Sequence, residues 1–402
     1  MPKIDTSSQK INDFLERGVK EVTTPESVMR KLSSGQVLRI KHGVDPSGQD
    51  LHLGHASVYL KLRGLQDMGH KIVFLIGGFT GRFGDPTEKL ETRTLKSKEE
   101  AETNARDYVN QISKILNVQE MELRTNSEWY DKMSAEEFIK LLAHFTVDQV
   151  LARDMFQERK NKKLPIRLHE TVYPVLQGYD SVMLKSDLTV IGTDQIFNEN
   201  FGRELQKKYN QEPQDIVAIG ILVGLDGAKK MGKSLNNYIS INAGAREQFG
   251  QIMSLPDSAI VDYFTLATRV DLKEIKEMAA ALKNNSVNPR DLKLKLAQEI
   301  VGFYHSPPEA VKETENFVKT FSKRSSPEEL VEITVNKKEM SVLDLVVASK
   351  LAGSKSEARR LIADGAVDVD GQTINSLDQV INIGGGVVIK IGKHRFAKIK
   401  AK

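Results

Sequence analysis

Three groups of residues in this chain of 402 residues have the chemistry and spacing to bind a ligand, two of them a phosphorylated one. The first is His52-Leu53-Gly54-His55, two imidazoles one helical turn apart with a glycine between them. A helix N-terminus presents free N–H groups and a partial positive charge, which suits phosphate. Imidazoles placed there can donate hydrogen bonds to phosphoryl oxygens as charge builds up. Gly54 permits close approach to the backbone. Two plainer readings stand beside this one: histidines that cap or pack, and a metal pair. With no cysteine in the chain and no nearby carboxylate to complete a structural zinc set, no metal site is expected.

The second group is the basic loop Lys229-Lys230-Met231-Gly232-Lys233-Ser234, which follows an apolar stretch. It reads either as a solvated turn or as a flexible clamp on a polyphosphate. From Gly227 to Ser234 it meets the bare spacing of a P-loop. No long helix is expected after it, however, and the chain already has a phosphate-binding helix start at His52. The third group is Tyr173, Gln177 and Asp180, joined by Asp85. Spacings of four and three put the first three on one helix face. On a core-facing helix a phenol, an amide and a carboxylate are costly unless paired. A small polar ligand would pair them; a solvated face would leave them to water.

Such groups need a scaffold, and the apolar pattern supplies one. Strands are expected to end near Ile40 and to cover 71–78, 121–125, 187–192 and 217–223. The run Lys71-Ile-Val-Phe-Leu-Ile76 is continuous enough to be buried on both faces, as in a parallel sheet. Turn residues Gly43, Asp45, Pro46, Ser47 and Gly48 lead into a helix carrying Leu51, Leu53, Val58, Leu62 and Leu65. Further helices are expected over 98–116, 134–159 and 169–183, with another starting at Thr193-Asp194-Gln195. Alternating strands and helices imply an α/β doubly wound parallel sheet of the Rossmann type, whose ligands lie outside the carboxyl ends of the strands. Residues 1–35 read as a helical lead-in and a turn. The expected domains are a catalytic one over 1–235, a small helical one over 236–323, a linker over 324–336, and an α+β module over 337–402. That module is basic through Lys355, Arg359, Arg360, Lys393 and Arg395.

Composition narrows the class. With 40% hydrophobic and 28% charged residues this is an ordinary soluble protein, and a net charge of +4 does not by itself announce a nucleic acid partner. The lack of cysteine excludes disulfides and thiolate catalysis and fits a reducing compartment. No apolar run approaches the roughly 20 residues needed to span a bilayer. The amino end lacks a hydrophobic signal core. A cytoplasmic protein with no membrane partner is expected.

His52-Leu-Gly-His55 and Lys230-Met-Gly-Lys233-Ser234 resemble the paired signatures of the class I aminoacyl-tRNA synthetases, usually written HIGH and KMSKS. More narrowly, residues 41–55, 74–87, 173–180 and 191–195 resemble those of bacterial-type tyrosyl-tRNA synthetases. The tail from about Met340 to Phe396 resembles an S4-type RNA-binding module. The resemblance covers nearly the full length. It implies attack of the L-tyrosine carboxylate on ATP, giving tyrosyl-adenylate and pyrophosphate, then transfer of tyrosyl to the terminal adenosine of tRNA(Tyr).

By this resemblance Asp180 would bind the substrate phenol, and Tyr173, Gln177 and Asp85 its ammonium group. Gln195 would line the same pocket. His52 and His55 would stabilise the ATP phosphates, and Lys230, Lys233 and Ser234 would act on the leaving pyrophosphate. Gly43, Asp45, Ser47, Gly54, Gly192 and Asp194 would border the adenylate. Mg²⁺ would accompany ATP without a cage built by the protein. The helical domain and the basic tail would contact tRNA, and the chain would form a homodimer, with 134–165 contributing to the interface. There are two departures. Many relatives place a phenol-binding tyrosine where Lys41 stands; Lys41 is expected among the tyrosine-binding residues, with phenol recognition resting more on Asp180. Gly232 replaces the serine of KMSKS, removing a hydroxyl and loosening the loop. The rival readings are a tryptophan-specific relative, disfavoured by Asp180, and an RNA-binding protein that kept the fold without catalysis.

Overall fold

Six apolar segments of the first 220 residues pair into one sheet: β1 (Val19–Thr23), β2 (Arg39–Val44), β3 (Lys71–Ile76), β4 (Glu122–Thr125), β5 (Leu188–Gly192) and β6 (Asp215–Ile219). They are seen in a computed structural model that describes residues 4–45, 50–85, 98–322, 331–374, 376–392 and 395–401. The spatial order is β1-β6-β5-β2-β3-β4. Strands β2 to β6 run parallel, and β1 lies antiparallel on the β6 edge. From β2 the order runs outward to β3 and β4, and from β5 to β6 and β1. Neighbouring β2 and β5 are therefore the switch point of a doubly wound sheet, where sheets of this kind hold their ligands in a crevice beyond the carboxyl ends.

Burial explains the central strands. Ile72 to Ile76 and all of β6 are buried, as expected for strands covered on both faces. The Leu168–Leu184 and Ile196–Lys208 helices pack closely because glycines stand where they cross. A Cβ on Gly178 would lie 2.8 Å from the Phe201 carbonyl carbon, and one on Gly202 would lie 2.7 Å from Ser181 Oγ. The helix face bearing Gln177 and Asp180 is thereby brought against Asn198 and Glu199.

Several expectations are corrected. A strand, β1, lies within the lead-in, because Val19 and Val22 pair with the sheet edge. β2 extends to Val44, so Gly43 belongs to a strand and not to the turn. The stretch 134–159 forms three helices, Ala135–Leu142, Val147–Leu151 and Asp154–Asn161. Capping boxes at Ser134/Glu137 and Thr146/Gln149 start the first two. β6 ends at Ile219, and Val223 instead bridges to Lys230.

The chain divides into two compact units, Met1–Ser306 and Pro307–Lys402. After the sheet, the first unit continues through helices Ala245–Met253, Ile260–Ala267, Leu272–Lys283 and Pro289–Tyr304. The second begins with helix Pro307–Ser322. Residues 331–335, read above as linker, form β7 (Val331–Val335), which pairs parallel with the last strand, Arg395–Ala401. Helices Val342–Ala348 and Lys355–Ala363 pack on that sheet through Val342, Leu345, Val346, Ala358 and Ile362.

Candidate active site

His52 is the N-cap of the Leu53–Asp67 helix and has extended backbone. Its ring stacks on His55, with centroids 3.8 Å apart. The His52 backbone N–H donates to His55 Nδ1 at 3.4 Å. A neutral His55 that accepts at Nδ1 carries its proton on Nε2, where it can donate to a ligand. Burial, reinforced by Lys230, holds the His55 imidazole down at about 4, and burial with His55, Lys230 and Lys233 pushes His52 lower still. Both rings are neutral near pH 7, so each offers one N–H donor and no fixed positive charge. His52 Nδ1 is buried without a hydrogen-bond partner.

The basic loop is anchored to this helix. Met231 is buried, and Gly54 N–H donates to its Sδ at 3.3 Å. Leu53 N–H donates to Ile239 O and Ile241 N–H to Leu51 O, each at 3.0 Å, so the chain following the loop runs alongside the histidine turn. A Cβ at Gly54 would come within 3.0 Å of the His52 ring. Asn237 holds the loop from beneath: its Oδ1 accepts from Gly232 N–H at 2.8 Å, and its Nδ2 donates to Asp226 at 2.8 Å and to Lys230 O at 3.2 Å. Lys230 Nζ reaches Asp194 at 3.3 Å, Lys233 Nζ lies 3.9 Å from Asp50, and Ser234 is exposed. After Lys233 there is only the short turn Lys233–Leu235, not the helix a P-loop needs. Gly232 has an extended φ of −162° and open room for a Cβ, so its backbone demands no glycine.

The third candidate group lies on the Leu168–Leu184 helix. Asp180 is 3% exposed. Trp129 Nε1 donates to its Oδ1 at 3.1 Å, and Asn126 Nδ2 donates to its Oδ2 at 3.3 Å. Burial pushes the Asp180 carboxyl up to about 7, opposed first by the charge on Lys41. The Tyr173 hydroxyl donates to Asp45 Oδ2 at 2.7 Å, and burial beside Asp45 and Asp85 holds it well above the usual phenol range. A phenol whose proton is committed in this way offers its lone pairs to a cation. Asp45 Oδ1 also accepts from Thr80 Oγ1 at 2.8 Å. Asp85 accepts from Gln195 Nε2 at 3.0 Å and pairs with Arg153 at 3.4 Å.

Gly43 is exposed at the end of β2 with only ordinary contacts for a Cβ. Gly192 ends β5, where a Cβ would strike Asp194 Oδ1 at 2.5 Å. Ser47 and Lys393 lie outside the described residues. Lys41 points into the protein, to Glu199, Ser181 and Gln177 O. In the second unit Lys355, Arg359 and Arg360 are exposed on one short helix. Arg395 is exposed as well and bonds Leu351 O and Glu357. Asn126, Trp129, Asn198, Glu199 and Asn237 escaped the sequence reading. Of these only Trp129, the single tryptophan, carried a compositional signal. Among the described residues no group of three or more His, Asp or Glu could hold a metal ion, and no helix is long and apolar enough to cross a membrane.

Comparison with known proteins gives the family. Residues 33–322 match the family model described as tRNA synthetases class I (W and Y), and residues 324–399 match a tyrosine–tRNA ligase SYY-like C-terminal domain. The tyrosine–tRNA ligase of Moorella thermoacetica is 42% identical over 96% of this chain and 94% of its own length. That of Idiomarina loihiensis is 44% identical over 95% and 96%. The crystal structure of a tyrosyl-tRNA synthetase from Archaeoglobus fulgidus complexed with L-tyrosine shares the fold, with TM-score 0.62 and 24% identity over 77% of this chain and 100% of that one. The chain belongs to the class I tRNA synthetases of the tryptophan and tyrosine family, and within it to the tyrosyl-tRNA synthetases of bacterial type.

Proposed function

We propose that the β2/β5 crevice is where this tyrosine–tRNA ligase joins L-tyrosine to ATP, with each residue in the role set out here. The tyrosine carboxylate is already ionised near pH 7, so no general base is required of the protein. Catalysis then comes from positioning and from stabilising charge on the transferring phosphate. His55 Nε2–H and the His52 turn face the phosphates. Lys230 and Lys233 exchange their carboxylate contacts for the departing pyrophosphate, with Ser234 beside them. Gly43, Asp45, Ser47, Gly54, Gly192 and Asp194 border the adenylate. Mg²⁺ would accompany ATP, and phosphate with water oxygens would supply its ligands, since no protein cage is expected for it.

The observation that carries the amino-acid assignment is Asp180, a buried carboxylate held by Asn126 and Trp129 and left able to accept one more donor. A phenol hydroxyl completes that set. An indole N–H is the competing donor of the tryptophan-specific relatives. Tyr173, Gln177 and Asp85, with Gln195 behind them, offer acceptors to the ammonium group. Tyrosine-dependent ATP–pyrophosphate exchange tests the reading; exchange with tryptophan and none with tyrosine would overturn it.

For tRNA(Tyr), residues 236–323 would contact the anticodon region and the module at 337–402 would add basic contacts through Lys355, Arg359, Arg360, Lys393 and Arg395. Such binding weakens with salt as counterions are released. A homodimer is supported by the exposed apolar side chains Ile139, Val147 and Leu168, on or beside the segment 134–165. Sedimentation equilibrium tests it. A cytoplasmic site of action is supported by the cysteine-free composition.

A further inference from the structure

Lys41 and Glu199 are 1% and 2% exposed and form an ion pair at 2.9 Å. Taking two charges out of water costs several kcal/mol per ion unless their hydrogen bonds are satisfied. Here they are. Lys41 Nζ meets Ser181 Oγ at 2.7 Å, the Glu199 carboxylate at 2.9 and 3.0 Å, and Gln177 O at 3.3 Å, so its three N–H groups all have protein acceptors. None is left for a substrate phenol. Glu199 also accepts from Gln177 Nε2 at 2.8 Å and from Gln214 Nε2 at 2.7 Å.

A carboxylate only accepts, and this sets an order on the amides that follow. Gln177 turns its Nε2 to Glu199, so its Oε1 accepts from Asn198 Nδ2 at 2.7 Å. Asn198 is fully buried, and its Nδ2 also donates to Gln195 Oε1 at 3.2 Å. Its own Oδ1 is buried with no partner. Gln195 Nε2 then donates to Asp85 at 3.0 Å and to Asp194 at 3.3 Å. Acceptor-only carboxylates stand at both ends of the chain, so neither glutamine can flip without setting a donor against a donor. Each glutamine carbonyl oxygen keeps a second lone pair.

We propose that the Lys41–Glu199 pair, acting through Gln177 and Asn198, positions the Gln177 and Gln195 amides with their carbonyl oxygens available to a cation, so that the pocket selects its substrate by the α-ammonium group. Lys41 and Glu199 are thus positioning residues that need not touch the substrate. The inference rests on the crevice being the tyrosine site.

The test is the double variant K41M/E199L, which removes both charges and leaves neither unpaired. The readouts are KM for tyrosine and for ATP in pyrophosphate exchange, and the inhibition constant of 3-(4-hydroxyphenyl)propionate, which is tyrosine without its amino group. The expected result is a tenfold or larger rise in tyrosine KM, with the analogue's inhibition constant and the ATP KM moving less than threefold. A folded variant in which tyrosine and analogue weaken together, or in which neither changes, overturns the proposal. Should the double variant fail to fold, E199D keeps the charge balance while withdrawing the carboxylate from Gln177, and the same readouts decide. Exchange by the unaltered chain tests the tyrosine site itself: if it is absent, that reading fails irrespective of the variants.

Discussion

Replacing Asp180 with asparagine should weaken tyrosine recognition and yet raise stability at neutral pH. The carboxyl titrates at 3.8 when unperturbed and at about 7 in the folded chain, where burial raises it. A raised carboxyl favours the protonated folded form, so ionising it costs folding free energy. That cost is small near pH 4, grows as pH rises toward 7, and levels off above it. At about 1.36 kcal/mol per unit it reaches roughly 4 kcal/mol at pH 7.5 and about 1 kcal/mol at pH 4.5. Asparagine removes this cost but turns an amide N–H toward Asn126 Nδ2, whose orientation is fixed because Asn126 Oδ1 accepts from Phe79 N–H at 2.8 Å. That donor–donor contact costs about 1–3 kcal/mol. Urea titration should therefore find D180N more stable than the parent by about 1–3 kcal/mol at pH 7.5, and no more stable at pH 4.5. A hydrogen bond to a charged acceptor contributes about 2–3 kcal/mol, so kcat/KM for tyrosine in exchange should fall by about 30- to 160-fold. A variant that is less stable at pH 7.5 and keeps its tyrosine kcat/KM would refute the reasoning.

Other outcomes follow from the same geometry. Gly54→Ala sets a methyl group 3.0 Å from the His52 ring; exchange kcat should fall by about tenfold while tyrosine KM holds, because misplacement acts on the phosphate end. Burial holds His42 and His70 down at about 4 from 6.5. Depressed histidine values give stability that is present above pH 6.5 and lost as pH falls toward 4, and His42→Asn should reduce the proton uptake on unfolding in that window by about one. A chain ending after residue 326 should retain tyrosine-dependent exchange and show weakened tRNA charging; loss of exchange would mean that the activation step depends on the tail.

Much of the candidate site was proposed from sequence because its residues are local. His52-Leu-Gly-His55, the lysine loop and the Tyr173/Gln177/Asp180 spacing each lie within one turn, loop or helix face, and the apolar run of β3 announces a strand buried on both sides. The parts that were missed depend on partners distant in the chain. Asn126 and Trp129 matter because they meet Asp180, and Glu199 matters because it meets Lys41. No periodicity marks such a pairing. Asn237 works through Gly232 and Asp226 from just beyond the signature loop. β1 was hidden because Val-Lys-Glu-Val-Thr lies half-exposed on a sheet edge and lacks strict alternation. The break in 134–159 was legible in principle, since Ser134-x-x-Glu137 and Thr146-x-x-Gln149 are both helix-start patterns. There the helical periodicity outweighed the caps.

The most direct test of the proposed amino-acid site is a crystal structure with a non-hydrolysable tyrosyl-adenylate analogue. The expected result places the phenol oxygen within hydrogen-bond distance of Asp180, the ammonium group among Tyr173, Gln177 and Asp85, and the phosphate at the His52–His55 turn, with Lys41 still on Glu199. A phenol bound away from Asp180, or a Lys41 that leaves Glu199 to reach the ligand, would contradict it.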